Sequence, residues 1–330
     1  MVAAAALGRG DSGEEVRDLQ LRLGRVGHAV PASEVGQFGD ATEAAVRAFQ
    51  DARGITVDGV CGAETWGALV ESEFTLGDRM LYFRRPMLRG DDVAQLQRSL
   101  NAMGFDAGRE DGILGEQTAA AVGEFQRNTG LAVDAICGPA TVAALRRVVS
   151  MAGGSVATVR ERETLRRGPR GLAGRRVYVV AAAGLEALGE TVSGDLTTAG
   201  ADAVLDVSGG DESSVAAAAN RFEAELFLAL RPAADPASRC TYFASGEFRS
   251  EAGYRVAAAV QAELTGLLGT EPEVAGRAYG LLRETRMAAV VCELVEHGDI
   301  AAMRQLVTNA GAIGRAIVRG ARKAYEATED

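Results

Sequence analysis

Hydrophobic residues recur at three- and four-residue spacing in two stretches of the chain, and both stretches carry the same pattern. In the first, Val16, Leu19 and Leu23 fall on one side of a helix. Spacing of this kind predicts an amphipathic helix with a buried apolar face. The second stretch repeats it, pairing Val16 with Val93, Leu19 with Leu96, Gln20 with Gln97, Leu23 with Leu100 and Gly27 with Gly104. Because the matches share one register, they indicate a duplicated domain.

After a slip of one residue, the match continues through a second helix, a tight turn and a third, short helix. Gly54 and Gly130 follow the second helix of each copy, where a C-cap glycine is expected. The pattern therefore predicts two all-α domains of three helices each, at residues 1–73 and 74–150.

Beyond residue 172 the pattern changes to short apolar runs that alternate with helical spacing. This alternation predicts an α/β domain over residues 172–330, with a mostly parallel sheet covered by helices. Residues 151–171 are rich in arginine and are predicted to form a solvated linker. The predicted strands contain residues 177–180, 203–207, 226–230 and 289–292.

Composition narrows the choice of partners and compartment. A formal net charge of −10 argues against a nucleic-acid binder, which needs a basic face. No apolar stretch approaches the roughly 20 residues of a membrane span, and the first residues make a poor secretion signal. The four cysteines show no disulfide-like spacing, which suits a reducing compartment. We expect a cytoplasmic protein without a membrane span.

The two copies follow the motif order G-D-x-G-x-x-V-x-x-L-Q, F-G-x-x-T-x-x-A-V-x-x-F-Q and G-x-x-V-D-G-x-C-G-x-x-T. This order resembles the bacterial peptidoglycan-binding domain of three helices. The resemblance implies that a cell-wall muropeptide or its precursor binds in a shallow groove. Candidate ligand-binding residues are Gln20, Gln50, Gln97, Gln126 and the only tryptophan, Trp66. Each has a structural alternative, because the glutamines can bridge helices and Trp66 can fill the core.

The order of strands and helices after residue 172 resembles the zinc N-acetylmuramoyl-L-alanine amidases, as does the segment 281–293. These enzymes cleave between the lactyl group of muramic acid and the first alanine of the stem peptide. The resemblance implies a zinc ion held by two histidines and a glutamate, and it gives Glu293 the position of the catalytic glutamate.

This chain departs from the amidase pattern at the metal ligands. The loop after the first strand is shortened, and Arg231 stands where the family has a histidine. Only His28 and His297 occur in the chain, and His28 belongs to the first repeat. We therefore predict a pseudo-amidase without metal or cofactor, in which Glu293 is vestigial. Arg231 either meets Glu293 or a ligand carboxylate, or it is an exposed arginine at a strand end without a partner.

The combination of two repeats and a metal-less amidase domain resembles the amidase-homologous regulators of peptidoglycan synthesis in actinobacteria. That resemblance implies a non-catalytic cytoplasmic protein that senses wall precursor. It also implies a synthetic enzyme as partner, the enolpyruvyl transferase that begins precursor synthesis.

Other functions remain open at the level of sequence. One is an active amidase whose metal is held by Glu, Asp and Cys, and another is an exported wall-anchored binding protein. Cys292, Glu293 and His297 also suggest a nucleophile, an acid and a base, although a thiol in an apolar strand is more often inert.

Overall fold

Each repeat of the sequence folds as three helices, as its apolar spacing predicts. The helices of the first repeat are α1 (Glu14–Arg25), α2 (Asp40–Arg53) and α3 (Ala63–Glu71), and those of the second are α4 (Asp91–Ala102), α5 (Glu116–Thr129) and α6 (Pro139–Val149). Gly54 and Gly130 end α2 and α5 in the left-handed conformation, with φ of 65° and 71°. A glycine adopts this conformation without steric cost, which explains its place at both helix ends.

The structure is a computed structural model, and it describes residues 6–149, 170–234, 238–246, 248–268 and 273–326. The chain divides into two compact units, Met1–Arg160 and Glu161–Asp330. Most of the predicted linker at 151–171 lies outside the described residues. Within the described part of the chain, no helix has the length and apolar character needed to cross a membrane.

In each repeat, an isolated β-bridge joins the segment before the first helix to the turn before the third helix. Leu7 pairs with Cys61 in the first repeat, and Leu81 pairs with Cys137 in the second. All four side chains are buried. Arg53 at the end of α2 joins the two repeats through a bidentate ion pair with Asp91 at the start of α4, with N–O distances of 2.7 and 2.9 Å.

The second unit is an α/β domain whose central strands are parallel, as predicted. In spatial order the strands run β2 (Asp202–Asp206), β1 (Arg176–Ala181), β3 (Leu226–Ala233), β7 (Ala288–Glu296), β4 (Arg239–Ser245) and β5 (Phe248–Arg249), and β6 (Val274–Arg277) pairs with β4. The parallel strands are β1 (Arg176–Ala181), β2 (Asp202–Asp206), β3 (Leu226–Ala233) and β7 (Ala288–Glu296). The sequence analysis did not anticipate β4 (Arg239–Ser245), β5 (Phe248–Arg249) and β6 (Val274–Arg277). Because β4 runs antiparallel to β7, the sheet is mixed, though mostly parallel.

Helices cover both faces of this sheet. The domain contains α7 (Glu186–Thr198), α8 (Glu212–Arg221), α9 (Glu251–Leu268), α10 (Gly280–Glu284), α11 (Ile300–Thr308) and α12 (Ala310–Glu326). The main apolar core combines α7, α9 and α12 with one face of the sheet. α8 and α10 pack together, and α10 also contacts β7. This arrangement leaves the ends of β3 and β7 close to the N-terminal turn of α8.

Candidate functional site

Arg231 and Glu293 are direct neighbours at the carboxyl ends of two adjacent parallel strands. Arg231 on β3 pairs in register with Glu293 on β7. In open α/β sheets this edge is where ligands bind. The contact anticipated between the two side chains is present, with Arg231 Nη2 2.9 Å from Glu293 Oε1. We call the cluster around this pair the strand-end cluster; it consists of Glu212, Arg231, Arg239, Tyr279 and Glu293.

Both carboxylate oxygens of Glu293 are engaged inside the strand-end cluster. Oε1 accepts hydrogen bonds from Arg231 and from the Tyr279 hydroxyl at 3.0 Å, while Oε2 accepts one from Arg239 Nε at 2.9 Å. Only 2% of the Glu293 side chain is exposed. A buried carboxylate is stable when cationic and hydroxyl donors satisfy it, as they do here.

Arg231 lies between two carboxylates and an aromatic ring. Its second terminal nitrogen is 3.3 Å from Glu212 Oε1, and its guanidinium carbon lies 4.0 Å from the centre of the Tyr279 ring. Burial alone would lower the pKa of Arg231, but the charge of Glu293 and the proximity of Tyr279 and Glu212 outweigh it and raise that pKa. Burial, reinforced by the charge of Glu293, also raises the pKa of Tyr279 to about 12, so its hydroxyl is a donor at neutral pH.

The residues around this edge do not fit a zinc ion. Zinc requires imidazole, thiolate or free carboxylate ligands, yet the two carboxylates here are bound by guanidinium groups. Among the described residues, no three His, Cys, Asp or Glu side chains form a metal-binding group. His297 is exposed beyond the end of β7, where its backbone N–H donates to the Ala233 carbonyl at 2.8 Å.

The loop after β1 and the thiol of Cys292 each make contacts within the fold. After β1 the chain turns at once into α7, and Glu186 at its start accepts a hydrogen bond from the backbone N–H of Gly184 at 2.9 Å. Cys292 faces the opposite side of the sheet from Glu293, because neighbouring residues of a strand alternate. It lies 3.7 Å from Cys240, sulfur to sulfur, within the apolar core. The hydrogen bond with Cys292, together with burial, raises the pKa of the Cys240 thiol well above its ordinary value.

The four glutamine candidates are interior bridges of the repeats. Gln126 is 2% exposed, and its amide nitrogen donates to Asp134 Oδ1, the Ile136 carbonyl and Thr141 Oγ1. Its oxygen accepts from the backbone N–H of Ala135 at 2.9 Å. The other three make the same kind of bonds to a neighbouring turn, and they are Gln20, Gln50 and Gln97. These contacts are the bridging role that the sequence gave as the structural alternative to ligand binding.

Trp66 is half-buried on α3 of the first repeat. Its ring packs against the apolar core of that repeat, and the Arg22 guanidinium lies 5.3 Å from the ring centre. Trp66 therefore helps to fill the core, which was the structural alternative to stacking on a sugar ring.

Comparison with known proteins decides the family. Two segments, residues 12–69 and 89–145, match the family described as "Putative peptidoglycan binding domain". Over 319 residues the chain is 33% identical to N-acetylmuramoyl-L-alanine amidase CwlM of Mycobacterium tuberculosis, covering 85% of this chain and 78% of that protein. The chain belongs to the CwlM family.

Other similar proteins share parts of this CwlM-family architecture. N-acetylmuramoyl-L-alanine amidase CwlL of Bacillus licheniformis is 33% identical over 164 residues, covering 43% of this chain and 46% of that protein. The solved structure of the amidase Ami1 from Mycobacterium smegmatis aligns at 14% identity and a TM-score of 0.40, covering 47% of this chain and 98% of that one. The two matched segments and the similarity to CwlM show two peptidoglycan-binding domains followed by an amidase-like domain, and the sheet of that domain is mostly parallel, so the predicted fold class is confirmed.

Sequence reasoning found two members of the strand-end cluster of this CwlM-family chain and missed three. Glu212, Arg239 and Tyr279 come from α8, β4 and the turn before α10, and the sequence pattern did not connect these segments with Glu293. One signal was available for Arg239, because it opens the run Arg239–Ser245, in which an arginine precedes apolar residues. A charged residue next to a buried strand needs a partner, and Glu293 is that partner.

Proposed function

We propose that this chain is a non-catalytic protein that binds peptidoglycan precursor and regulates cell-wall synthesis from the cytoplasm. The observation that carries the proposal is the state of Glu293. At the position that resembles the catalytic glutamate of the amidases, this carboxylate is buried and bound by Arg231, Arg239 and Tyr279.

Hydrolysis of the lactyl–alanine amide requires an activated water next to a general base. A general base must have an oxygen within hydrogen-bond reach of that water, but protein donors occupy both oxygens of Glu293. A metal ion would also have to approach beside Arg231, whose guanidinium remains positive at any physiological pH. These two features support loss of catalysis with retention of the fold.

The proposed ligand and partner follow from the family. Two peptidoglycan-binding domains favour a muropeptide or a wall precursor as the ligand. The resemblance to regulators of peptidoglycan synthesis suggests the enolpyruvyl transferase as the enzyme that is regulated. An acidic chain of net charge −10 is a poor candidate for nucleic acid as a competing ligand.

The names of the relatives favour a second function, hydrolysis of the same bond, because CwlM and CwlL are both named amidases. A direct assay of zinc content and hydrolysis distinguishes the two functions. The full chain is incubated with excess zinc, dialysed, analysed for bound metal and then tested for release of stem peptide from muropeptides. CwlL of Bacillus licheniformis serves as the positive control. We expect no stoichiometric zinc and no release; one zinc per chain together with release would overturn the proposal.

Regulation is tested with the enolpyruvyl transferase of the same organism. We expect the full chain to co-purify with this enzyme and to change its rate, and we expect added muropeptide to alter that change. A transferase that neither binds the chain nor responds to it, with or without muropeptide, would contradict the regulatory role.

A further inference from the structure

The two repeats differ most in the segment that leads into their first helix. Gly13 follows the bridging residue Leu7 by six positions, whereas Gly90 follows Leu81 by nine. Gly13 and Gly90 are equivalent, since each immediately precedes the first helix of its repeat. The second repeat therefore carries a segment that is three residues longer, which we call the strap and define as residues 80–86.

Most side chains of the strap are exposed to solvent. Leu81 is fully buried and Phe83 packs against the core of the second repeat, while Met80, Tyr82 and Arg84 are exposed. These three residues alternate in sequence with Leu81 and Phe83, and Arg85 and Pro86 at the end of the strap are exposed as well. Met80 is 54% exposed and Tyr82 is 40% exposed.

The first repeat supplies an internal comparison. Its bridging residue is flanked by Ala6 and Gly8, so it has no counterpart of the Met80 and Tyr82 side chains. Arg9 pairs with Asp40 at the start of α2, and Arg85 pairs with Glu116 at the start of α5 in the same way. These two ion pairs are common to the repeats, so the feature particular to the second repeat is the set Met80, Tyr82 and Arg84.

Arg84 is a cation available to a ligand. Within the described part of the chain it makes no ion pair and no hydrogen bond, and neither does the Tyr82 hydroxyl. Arg79, which precedes the strap, is by contrast held by Asp92 at 2.7 Å and by the Arg89 carbonyl at 2.6 Å. Arg84 and the exposed Tyr82 stand two residues apart in the strap, in a chain whose formal net charge is −10.

We propose that the strap is the surface on which the second repeat binds muropeptide. Tyr82 packs against a sugar ring, and Arg84 binds a free carboxylate of the stem peptide. The inference rests on the proposed function, because it assumes that peptidoglycan fragments are the ligand. An aromatic face covers the apolar side of a flat ring, and a guanidinium recognises a carboxylate with two parallel hydrogen bonds. A membrane surface fits less well, since polybasic recognition of anionic lipid takes about four or more cations, and the strap offers one unpaired guanidinium.

The test measures binding of the full chain to a disaccharide muropeptide by calorimetry, with the carboxylates either free or converted to amides. Arg84→Gln is expected to weaken binding of the free-carboxylate ligand about ten-fold, the worth of one charged hydrogen bond. It should leave binding of the amidated ligand unchanged. Tyr82→Ser is expected to weaken binding of both ligands by a similar factor of about five. Arg9→Gln, a change at an exposed arginine of the first repeat, should bind both ligands like the unmodified chain.

The outcomes separate the two proposals. If the unmodified chain binds neither ligand, the proposed function fails, and the strap inference fails with it. If the chain binds muropeptide and the Tyr82 and Arg84 variants bind it equally well, only the strap inference is overturned. Binding of the same variants to vesicles that contain anionic phospholipid is measured as well. If they bind through Tyr82 and Arg84 while muropeptide binding is unaffected, the strap is a membrane contact instead.

Discussion

At the scale of single residues, the stability of the α/β domain depends on the cationic partners of one buried carboxylate. Glu293 is 2% exposed, and Arg231 and Arg239, at 18% and 8% side-chain exposure, supply its counter-charges. Removing one partner of a buried ion pair leaves an uncompensated charge, which is far more costly than losing an exposed pair.

Replacing Arg231 should therefore destabilise the α/β domain. Arg231→Met is expected to lower the free energy of unfolding by about 3 kcal/mol, because the Glu293 charge stays buried with fewer donors. The double variant with Glu293→Gln should recover part of this loss. Urea denaturation of the full chain, followed through the transition of the α/β domain, provides the measurement.

The matched control for Arg231 is Arg286→Met, which removes an exposed arginine between α10 and β7. We expect a change within about 0.5 kcal/mol for this variant. Equal stability of the Arg231 and Arg286 variants would show that the pair with Glu293 contributes nothing.

A buried glutamine in the repeats should behave as a structural group. Gln126→Leu removes the acceptor of two backbone N–H groups and three donor contacts, so a loss of about 2–3 kcal/mol is expected from the unsatisfied groups. Gln117→Leu, on the exposed side of the same helix, is the control and should be nearly neutral. If Gln126→Leu instead keeps full stability and abolishes muropeptide binding, the residue is part of the ligand site.

At the scale of secondary-structure elements, the packing of the main core depends on the close approach of α9 and α12. Gly320 on α12 lies against the backbone of α9, where an added Cβ would be 2.5 Å from the Val260 Cα and 2.7 Å from the Ala259 carbonyl oxygen. Backbone atoms cannot move aside as a flexible side chain can. The glycine therefore sets the distance between α9 and α12.

Gly320→Ala should force these two helices apart. We expect a loss of about 2 kcal/mol or more from overpacking, which outweighs the gain in helix propensity. Gly194→Ala on α7 is the matched change, since nothing lies within 4 Å of its added Cβ, and it should stabilise the domain by about 0.5–1 kcal/mol. Thermal denaturation of both variants measures the difference, and a stabilising effect at Gly320 would contradict the packing described.

At the scale of the whole molecule, each unit has its own core. The repeats bury separate apolar clusters around Phe49 and Phe125, and the α/β domain buries a third between sheet and helices. A unit with a complete core is able to fold alone.

A fragment of residues 1–150 should accordingly fold without the α/β domain. Circular dichroism is expected to show a helical fragment with a cooperative thermal transition, and its NMR spectrum should shift when muropeptide is added. An unfolded fragment would show that the division at residue 150 is wrong. A folded fragment with an unchanged spectrum would remove the ligand site from the repeats.

The sequence by itself determined the elements that depend on local pattern. The six helices of the repeats, their C-cap glycines and the strands β1, β2, β3 and β7 all follow from short-range periodicity and from the conformational freedom of glycine. Strands β4, β5 and β6 were not predicted because their residues mix polar and apolar types. Their place in the sheet comes from pairing with distant segments, which leaves no local period to detect.

Tertiary structure alone decided which of the polar candidates act inside the fold and which face solvent. The sequence placed Arg231 at a strand end. Only the pairing of β3, β7 and β4 brings Arg231 and Arg239 to Glu293, and the turn before α10 adds Tyr279. In the repeats, tertiary packing buries the four glutamines, whereas Tyr82 and Arg84 are exposed to solvent. The physical reason is that a periodic pattern fixes which side of an element is apolar, whereas sheet register and loop length fix which polar groups meet.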